Sequence, residues 1–343
     1  MVKRISPLFA AITLSAGLWA SGMQGAAAQV GNHVFRISAA NSETHPQNQG
    51  GIKFAELVEK KSGGKMTVKI FSNGVLGNDL QSLSGLQGGI LDMMIGTLNN
   101  MGGSVKENLV LEFPFMFKSA EEADFIMDGP IGDKLKDKMA DKGVITLSFF
   151  ELGFRHFHTR KGHPIRTADD FKGQKLRVQT TAVYVNLVNA LGANATPMGF
   201  SQTFSALETG AIDGMSNPLI NVLDGRYYEV SQYLAITNHV YQPSFLAMSK
   251  KVWDRLTADE KKILQEAGAE ASVYQRKVSR EVNARALDEL KAKKMEVTVL
   301  PPAELDKMRE RLKPVIEKHT QLIGPAFVAE VMSELEKYRG THK

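Results

Sequence analysis

Cysteine is absent from all 343 residues, which excludes disulfides, thiolate-held metals and the thiol that a lipid anchor would acylate. Catalytic signatures are missing as well: there is no G-x-S-x-G elbow, no H-E-x-x-H zinc helix and no G-x-G-x-x-G dinucleotide loop. Ser62-Gly63-Gly64-Lys65-Met66-Thr67 lacks the first glycine and the Lys-Ser/Thr pair of a phosphate loop, so it reads as a turn. His156 and His158 would share one face of a strand, but no cysteine and no evident carboxylate stands by as a third ligand. These absences predict no catalytic residue, no metal and no cofactor, and the chain reads as a non-enzyme. Charge of one sign is also scarce. The 42 Lys and Arg against 37 Asp and Glu leave +5, or +3 without Lys3 and Arg4, too little and too evenly spread for a nucleic-acid partner. The basic run Lys291, Lys293, Lys294 reads as a solvated helix end, and Glu121-Glu122 as a solvated helix start. No internal repeat and no low-complexity segment occurs.

What is present begins with an export signal. Lys3 and Arg4 precede an apolar stretch over residues 8–20, and Ala26-Ala27-Ala28 supplies small residues for cleavage, expected after Ala28. The apolar stretch falls short of the roughly 20 residues that cross a bilayer core, and no later uncharged segment reaches that length. The remainder is expected to work free in the periplasm, without membrane insertion. About 315 residues would remain after cleavage, more than one hydrophobic core usually organises, so two domains are expected.

Apolar periodicity supports that division. Strand-like runs at 34–37, 66–71 and 91–95 alternate with helical patterns near 54–58 and 79–87, a βαβ opening that predicts a mostly parallel sheet covered by helices. Helical patterns at 120–127 and 134–140 lead into two strand-like runs, 144–150 and 154–159. A second α/β succession follows: strand 175–178, helix 182–191, a helix over 201–209 opened by Ser201 as N-cap, and strand 211–215. Residues 244–248 read as a strand. From 258 to about 291 the helical pattern runs without proline, longer than the usual 8 to 20 residues and able to brace two lobes. A last helical region from Pro301-Pro302 to 338 is expected to kink or break at Pro314 and Gly324.

The most informative stretch holds Gly153-Phe154-Arg155, Lys175-Leu176-Arg177-Val178, Pro197-Met198-Gly199-Phe200 and Gly210-Ala211-Ile212-Asp213-Gly214-Met215-Ser216-Asn217-Pro218. With Phe54-Ala55-Glu56-Leu57-Val58, Leu76-Gly77 and Phe113-Pro114-Phe115, these segments resemble the DctP-type solute receptors of tripartite ATP-independent periplasmic (TRAP) transporters over nearly the whole mature chain. The resemblance implies a two-lobed α/β periplasmic-binding-protein fold with crossing strands and a long helix spanning both lobes. Lobe I would comprise 29–152 plus 243–282, and lobe II 153–242 plus 283–343. It further implies a monomer that binds a small organic carboxylate (a hydroxy or keto acid, a dicarboxylate or a sugar acid) and passes it to TRAP membrane subunits. A ligand-binding partner of a sensor receptor, or a periplasmic enzyme, would be the alternatives.

Arg177 stands where the family clamps the ligand carboxylate. A guanidinium matches a carboxylate with two parallel hydrogen bonds and stays charged when water is excluded. In an otherwise apolar strand its charge should be buried only against a partner, either a ligand or a structural Asp or Glu. The resemblance also assigns Arg155 as a second positive charge at the cleft, Phe200 as an aromatic against the ligand and Asn217 as an amide for its oxygens. From lobe I, Thr97 and Asn100 give a neutral polar lining where sialic-acid receptors carry charged groups. His45 either donates to the ligand or is a helix-capping or surface histidine, and Asp79, which the resemblance matches to an occasional ligand-contacting acid, is expected to cap the following helix.

Overall fold

A computed structural model of the protein describes Met1 and residues 30–342. The expected export signal and its cleavage after Ala28 lie outside the described residues. Ten strands organise the rest: β1 (His33–Ala39), β2 (Met66–Phe71), β3 (Met93–Thr97), β4 (Val144–Thr159), β5 (Lys175–Val178), β6 (Asn194–Pro197), β7 (Gly214–Pro218), β8 (Tyr233–Ile236), β9 (Tyr241–Ser249) and β10 (Glu296–Val299). Their order is β2-β1-β3-β9-β4-β7-β5-β6, with β8 joining β4 to β10. Parallel pairing unites β2, β1 and β3 and, separately, β6, β5 and β7. Between these parallel groups, β4 and β9 run antiparallel to their neighbours.

β4 is the crossing strand. Its 16 residues pair first with β9, Val144 to Phe154 against Ser249 to Tyr241. From Arg155 to Thr159 it pairs with β7 instead. Sequence periodicity predicts two strands here because a bulge at Glu151/Gly153 interrupts the alternation. Gly153 adopts φ +96°, and a Cβ there would press within 2.9 Å of the Asn283 side chain, so both the turn of the backbone and the close approach require glycine.

The expected long helix runs over Ala258–Ala292, 35 residues, about 52 Å at 1.5 Å per residue. Thr257 and Glu260 form a reciprocal cap at its start. Gly268 lets it sit against Leu147 of β4, where a Cβ would meet the Leu147 backbone oxygen at 3.2 Å. Farther along, Gln275 accepts from the Glu151 N–H at 2.9 Å and donates to the Glu151 carbonyl at 2.8 Å. Arg280 pairs with the Glu151 carboxylate at 2.9 Å and with Asp124 at 2.6 Å. The helix therefore replaces, at the bulge, the strand partners that the irregular backbone forgoes.

Each parallel group has its own core. Phe35, Ile37, Phe54, Met66 and Ile95 pack with Leu264, Ala267 and Ala271 of the long helix. On the other side Phe157, Phe171, Leu176, Tyr184 and Leu187 pack with Met308 and Leu312. Two cores joined by β4, β9 and one helix make the two-lobed architecture.

Several local expectations change. β6, β8 and β10 are four-residue strands that sequence periodicity does not predict; β6 and β10 carry little apolar signature, whereas β8 is Tyr233-Leu234-Ala235-Ile236. Residues 201–209 form a 3-10 turn over Phe200–Gln202 and a short helix Thr203–Glu208, with no side-chain cap from Ser201. Pro314 stays inside one helix, Pro302–Ile323, whose buried face includes Leu312 and Val315; the break comes at Gly324. Glu122 is buried and pairs with Arg339 at 2.8 Å, so only its neighbour Glu121 fits the solvated reading.

Gln275→Leu keeps the side-chain volume but strands a buried N–H and carbonyl of Glu151, which costs about 2 kcal/mol or more. Chemical denaturation should register that loss; unchanged stability would show that the bulge does not depend on the brace.

Candidate ligand-binding site

Between the two parallel groups lies a cavity of about 310 Å³. Strand ends and the loops after them line it, because parallel strands point their C-terminal ends the same way and leave a crevice there. β1 ends at Ala39, beside Ala40 and Asn41; β3 ends at Thr97; β5 ends at Val178, before Gln179; β7 contributes Asn217.

Five of the seven anticipated residues line this cavity: Arg177, Asn217, Phe200, Thr97 and Asn100. Arg177 is 4% exposed. Its Nε and Nη2 donate to the Met198 carbonyl at 3.1 and 2.8 Å, and its carbon lies 5.9 Å from the Phe200 ring centre. Among the described residues no carboxylate forms an ion pair with it, and its Nη1 makes no hydrogen bond. Burial pushes its pKa down to about 10 and Arg155 adds to that fall, while Tyr227 and Asp79 oppose it. The side chain stays charged at neutral pH with its charge unmatched.

Arg155 and His45 stand outside the lining. Arg155, 2% exposed, donates to Ser216 Oγ at 2.8 Å, to the Ser216 carbonyl and to Gln242, and lies 5.1 Å over the Tyr184 ring. It reaches the cavity only through Gln242, which does line it. His45 caps the helix Pro46–Lys61, its Nδ1 accepting from the Gln47 N–H at 3.2 Å. Burial lowers the His45 pKa to about 4 against the opposing Asp224 and Asn221, so the ring is neutral.

Periodicity misses much of the polar wall. Gln179 lies two residues beyond Arg177, the spacing that returns a strand to the same face, and that signal could have found it. Asn41, Asn73 and Asn78, from loops, and Asn221, from the short helix Leu219–Asp224, also line the cavity, but asparagine in loops reads equally well as turn chemistry. Asp79 corrects two expectations. The cap of its helix is Asn78, which exchanges bonds with Gln81, whereas Asp79 itself lines the cavity, so the lobe I wall is not wholly neutral. Burial raises the Asp79 pKa; Asn100 and Arg177 pull it back.

Internal bonds order the wall. Asn100 Nδ2 donates to Thr97 Oγ1 at 3.1 Å, Thr97 Oγ1 bonds Asn99 Oδ1 at 3.2 Å, and Asn99 Nδ2 donates to Gln179 Oε1 at 2.7 Å. The last of these spans the cleft. His156 and His158, both driven down to about pKa 3 by burial with Arg155 contributing, are neutral strand residues bonded to Thr237 and Ser231. No group of three or more metal-ligating side chains occurs among the described residues, and no described helix is long and apolar enough to cross a membrane.

One buried, unmatched guanidinium opposite a wall of amides suits an organic anion, and the relatives agree. Residues 37–321 match the model of the bacterial extracellular solute-binding protein family 7, DctP. The 2,3-diketo-L-gulonate-binding periplasmic protein of Escherichia coli (strain K12) is 32% identical over 282 residues, 82% of this chain and 84% of that one. The sugar acid binding protein of Advenella mimigardefordensis, solved with galactonate, is 38% identical with a TM-score of 0.87, covering 90% of this chain and 99% of that one. A TRAP periplasmic solute-binding protein of Ochrobactrum anthropi, whose C-terminus occupies its ligand pocket, is 46% identical with a TM-score of 0.81, covering 91% and 97%. This chain belongs to the DctP family of bacterial extracellular solute-binding proteins, the substrate-binding subunits of TRAP transporters.

Proposed function

We propose that this chain captures a hydroxylated monocarboxylate, a sugar acid of the aldonate type, in the periplasm and hands it to TRAP membrane subunits. The observation that carries this reading is Arg177: buried, lining the cavity, and without a carboxylate partner of its own. The ligand carboxylate would take the unspent Nη1 and the Phe200 side of the guanidinium. Asn41, Asn100, Gln179 and Asn217 would meet the hydroxyl chain, since amides both donate and accept. Arg177 is the one Lys or Arg in the lining, and Asp79 sits across from it. A second carboxylate would therefore meet an acid and no second cation, which disfavours C4-dicarboxylates. The galactonate of the Advenella relative and the diketogulonate of the Escherichia coli relative support the same class.

In this reading lobe I spans 29–152 plus 243–282, lobe II spans 153–242 plus 283–343, and the ligand draws them together. Closure excludes water and strengthens the ion pair as the local dielectric falls. The sensor-partner alternative would use the same cavity, and the presence of transporter membrane-subunit genes beside this one separates it.

A thermal-shift panel of D-galactonate, D-erythronate and succinate should show stabilisation by the sugar acids and a weaker effect from succinate. Arg177→Met should lower galactonate affinity by about 100-fold or more, the consequence of losing an ion pair worth about 3 to 5 kcal/mol. Arg177→Lys should recover only part of it. Because the unmatched charge is costly to bury, ligand-free Arg177→Met should melt no lower than the wild type. Unchanged affinity in Arg177→Met would remove the reading.

Asp79→Asn should improve succinate binding about fivefold more than galactonate binding, because a like charge across a small cavity is worth about 1 kcal/mol. Equal change for both ligands, measured by titration calorimetry, would mean that Asp79 does not sort the acids.

A further inference from the structure

Behind the polar wall sits a carboxyl group that the capture of a ligand does not by itself require. Glu112 lies in the 3-10 segment Lys106–Glu112, fully buried within an apolar sequence, Leu109-Val110-Leu111-Glu112-Phe113. Its Oε2 accepts from the Tyr184 hydroxyl and from Asn99 Nδ2 at 3.3 Å, while its Oε1 is buried with no partner. An isolated orphan oxygen on a buried carboxylate is expensive, because nothing replaces the water it has lost.

The placement ties this group to the cavity. The Asn99 amide spends its two protons on Glu112 and on Gln179, and its oxygen bonds Thr97. Gln179 and Thr97 both line the cavity, one on each side of the cleft. Tyr184, the other donor to Glu112, lies under the Arg155 guanidinium, and Arg155 in turn holds the cavity residue Gln242. One carboxyl thus anchors two short chains of contacts that end at the ligand wall.

Few other ionisable groups compete for it. The helix Ala182–Ala190 presents only Tyr184, and β4 presents Arg155. The segment Leu98–Met101 has no titratable side chain. The buried face of the helix Pro302–Ile323 offers His319, which is bonded to Asn186 at 2.9 Å, and β9 offers Tyr241, bonded to Glu151 at 2.9 Å. On its own segment Lys106 and Glu107 stand at the opposite end, six and five residues away, with Glu107 paired to Lys138.

We propose that Glu112 is a positioning residue of the cavity that takes up a proton as the cavity fills, so that a carboxylate ligand binds more tightly with Glu112 protonated than with Glu112 ionised. The inference rests on the carboxylate-receptor reading above. Two negative charges in one low-dielectric region disfavour each other, so an entering anion raises the proton affinity of Glu112. By reciprocity, the proton raises the affinity for the anion. Burial already places the Glu112 pKa at about 7, with Tyr184, Asn99 and Arg155 pulling against it. A sugar acid stays ionised throughout this range, since α-carboxyl groups titrate near about 3.5. The sign follows: affinity is highest below the Glu112 titration and falls as pH rises through it, with up to one proton drawn from solvent per ligand bound between the titrations of the empty and the filled protein.

Two measurements on the full mature chain test this. In the ligand-free protein, infrared titration should reveal a buried carboxylic-acid C=O band that disappears through neutral pH and is missing from Glu112→Gln. Absence of such a band from the wild type, or its persistence in the variant, would overturn the proposal. D-galactonate affinity, measured at about pH 6 and about pH 8, should weaken about threefold or more at the higher pH in the wild type and stay level in Glu112→Gln. Equal slopes in the two proteins would also overturn it. Should Glu112→Gln fail to fold, Tyr184→Phe decides, because removing a donor to the ionised form should move both transitions to higher pH. If galactonate binds the wild type at neither pH, the sugar-acid reading fails, and the infrared titration still judges Glu112.

Discussion

A buried guanidinium that lines a cavity without an ion-paired carboxylate among the described residues is the constraint around which this protein is organised. Taking such a charge out of water costs several kcal/mol, and the usual remedy is a carboxylate of the same chain. Here Arg177 donates to the Met198 carbonyl and lies against the Phe200 ring, with Asp79 beyond ion-pair distance. A fold that spends stability in this way leaves room for the missing anion to arrive from outside, and the cavity beside Arg177 is that room. The pocket is not merely apolar space: its electrostatics are incomplete until it is filled.

The scaffold keeps that incompleteness in place. β5 holds Arg177 between β6 and β7, with Thr196 and Met215 opposite it, so the guanidinium has little freedom to swing toward a carboxylate elsewhere. β4 carries the chain from one parallel group to the other, and the long helix ties down its bulge through Gln275, Arg280 and Asn283. The bonds that cross the cleft are of a different kind. Asn99 to the cavity residue Gln179, and Ser42 to Asp224 at 2.6 Å, are single side-chain hydrogen bonds. Water can replace these more cheaply than it can replace the packed seam. A rigid hinge region with exchangeable latches suits a receptor whose lobes part and close around a ligand.

Much of this was readable beforehand, and the failures have physical causes. Arg177 stood out through the family resemblance of its K-L-R segment; the single charge in Leu176-Arg177-Val178 by itself called for a partner and left ligand and structural carboxylate equally open. The same reasoning applies to Glu112 between Leu111 and Phe113, where it went unused. Arg155 shows the limit of the method. Its sequence context resembles a ligand contact, yet only the register of β4 against β7 reveals that Ser216 and Gln242 take three of its five N–H donors. Asn41, Asn73, Asn78 and Asn221 were invisible for a related reason: a bend, a turn, a helix cap and a short helix each account for an asparagine without any ligand. The short strands β6, β8 and β10 were not anticipated; a four-residue strand gives only two residues to each face, so alternation carries little information there, and β5, equally short, was read within the longer α/β succession around it.

The central claim is that an anion's carboxylate completes Arg177. A crystal structure of the protein with D-galactonate tests it most directly. The account predicts a ligand carboxylate oxygen within about 2.9 Å of Arg177 Nη1, with hydroxyls on the amide wall. A bound sugar acid whose carboxylate points away from Arg177, toward solvent or another group, would contradict it.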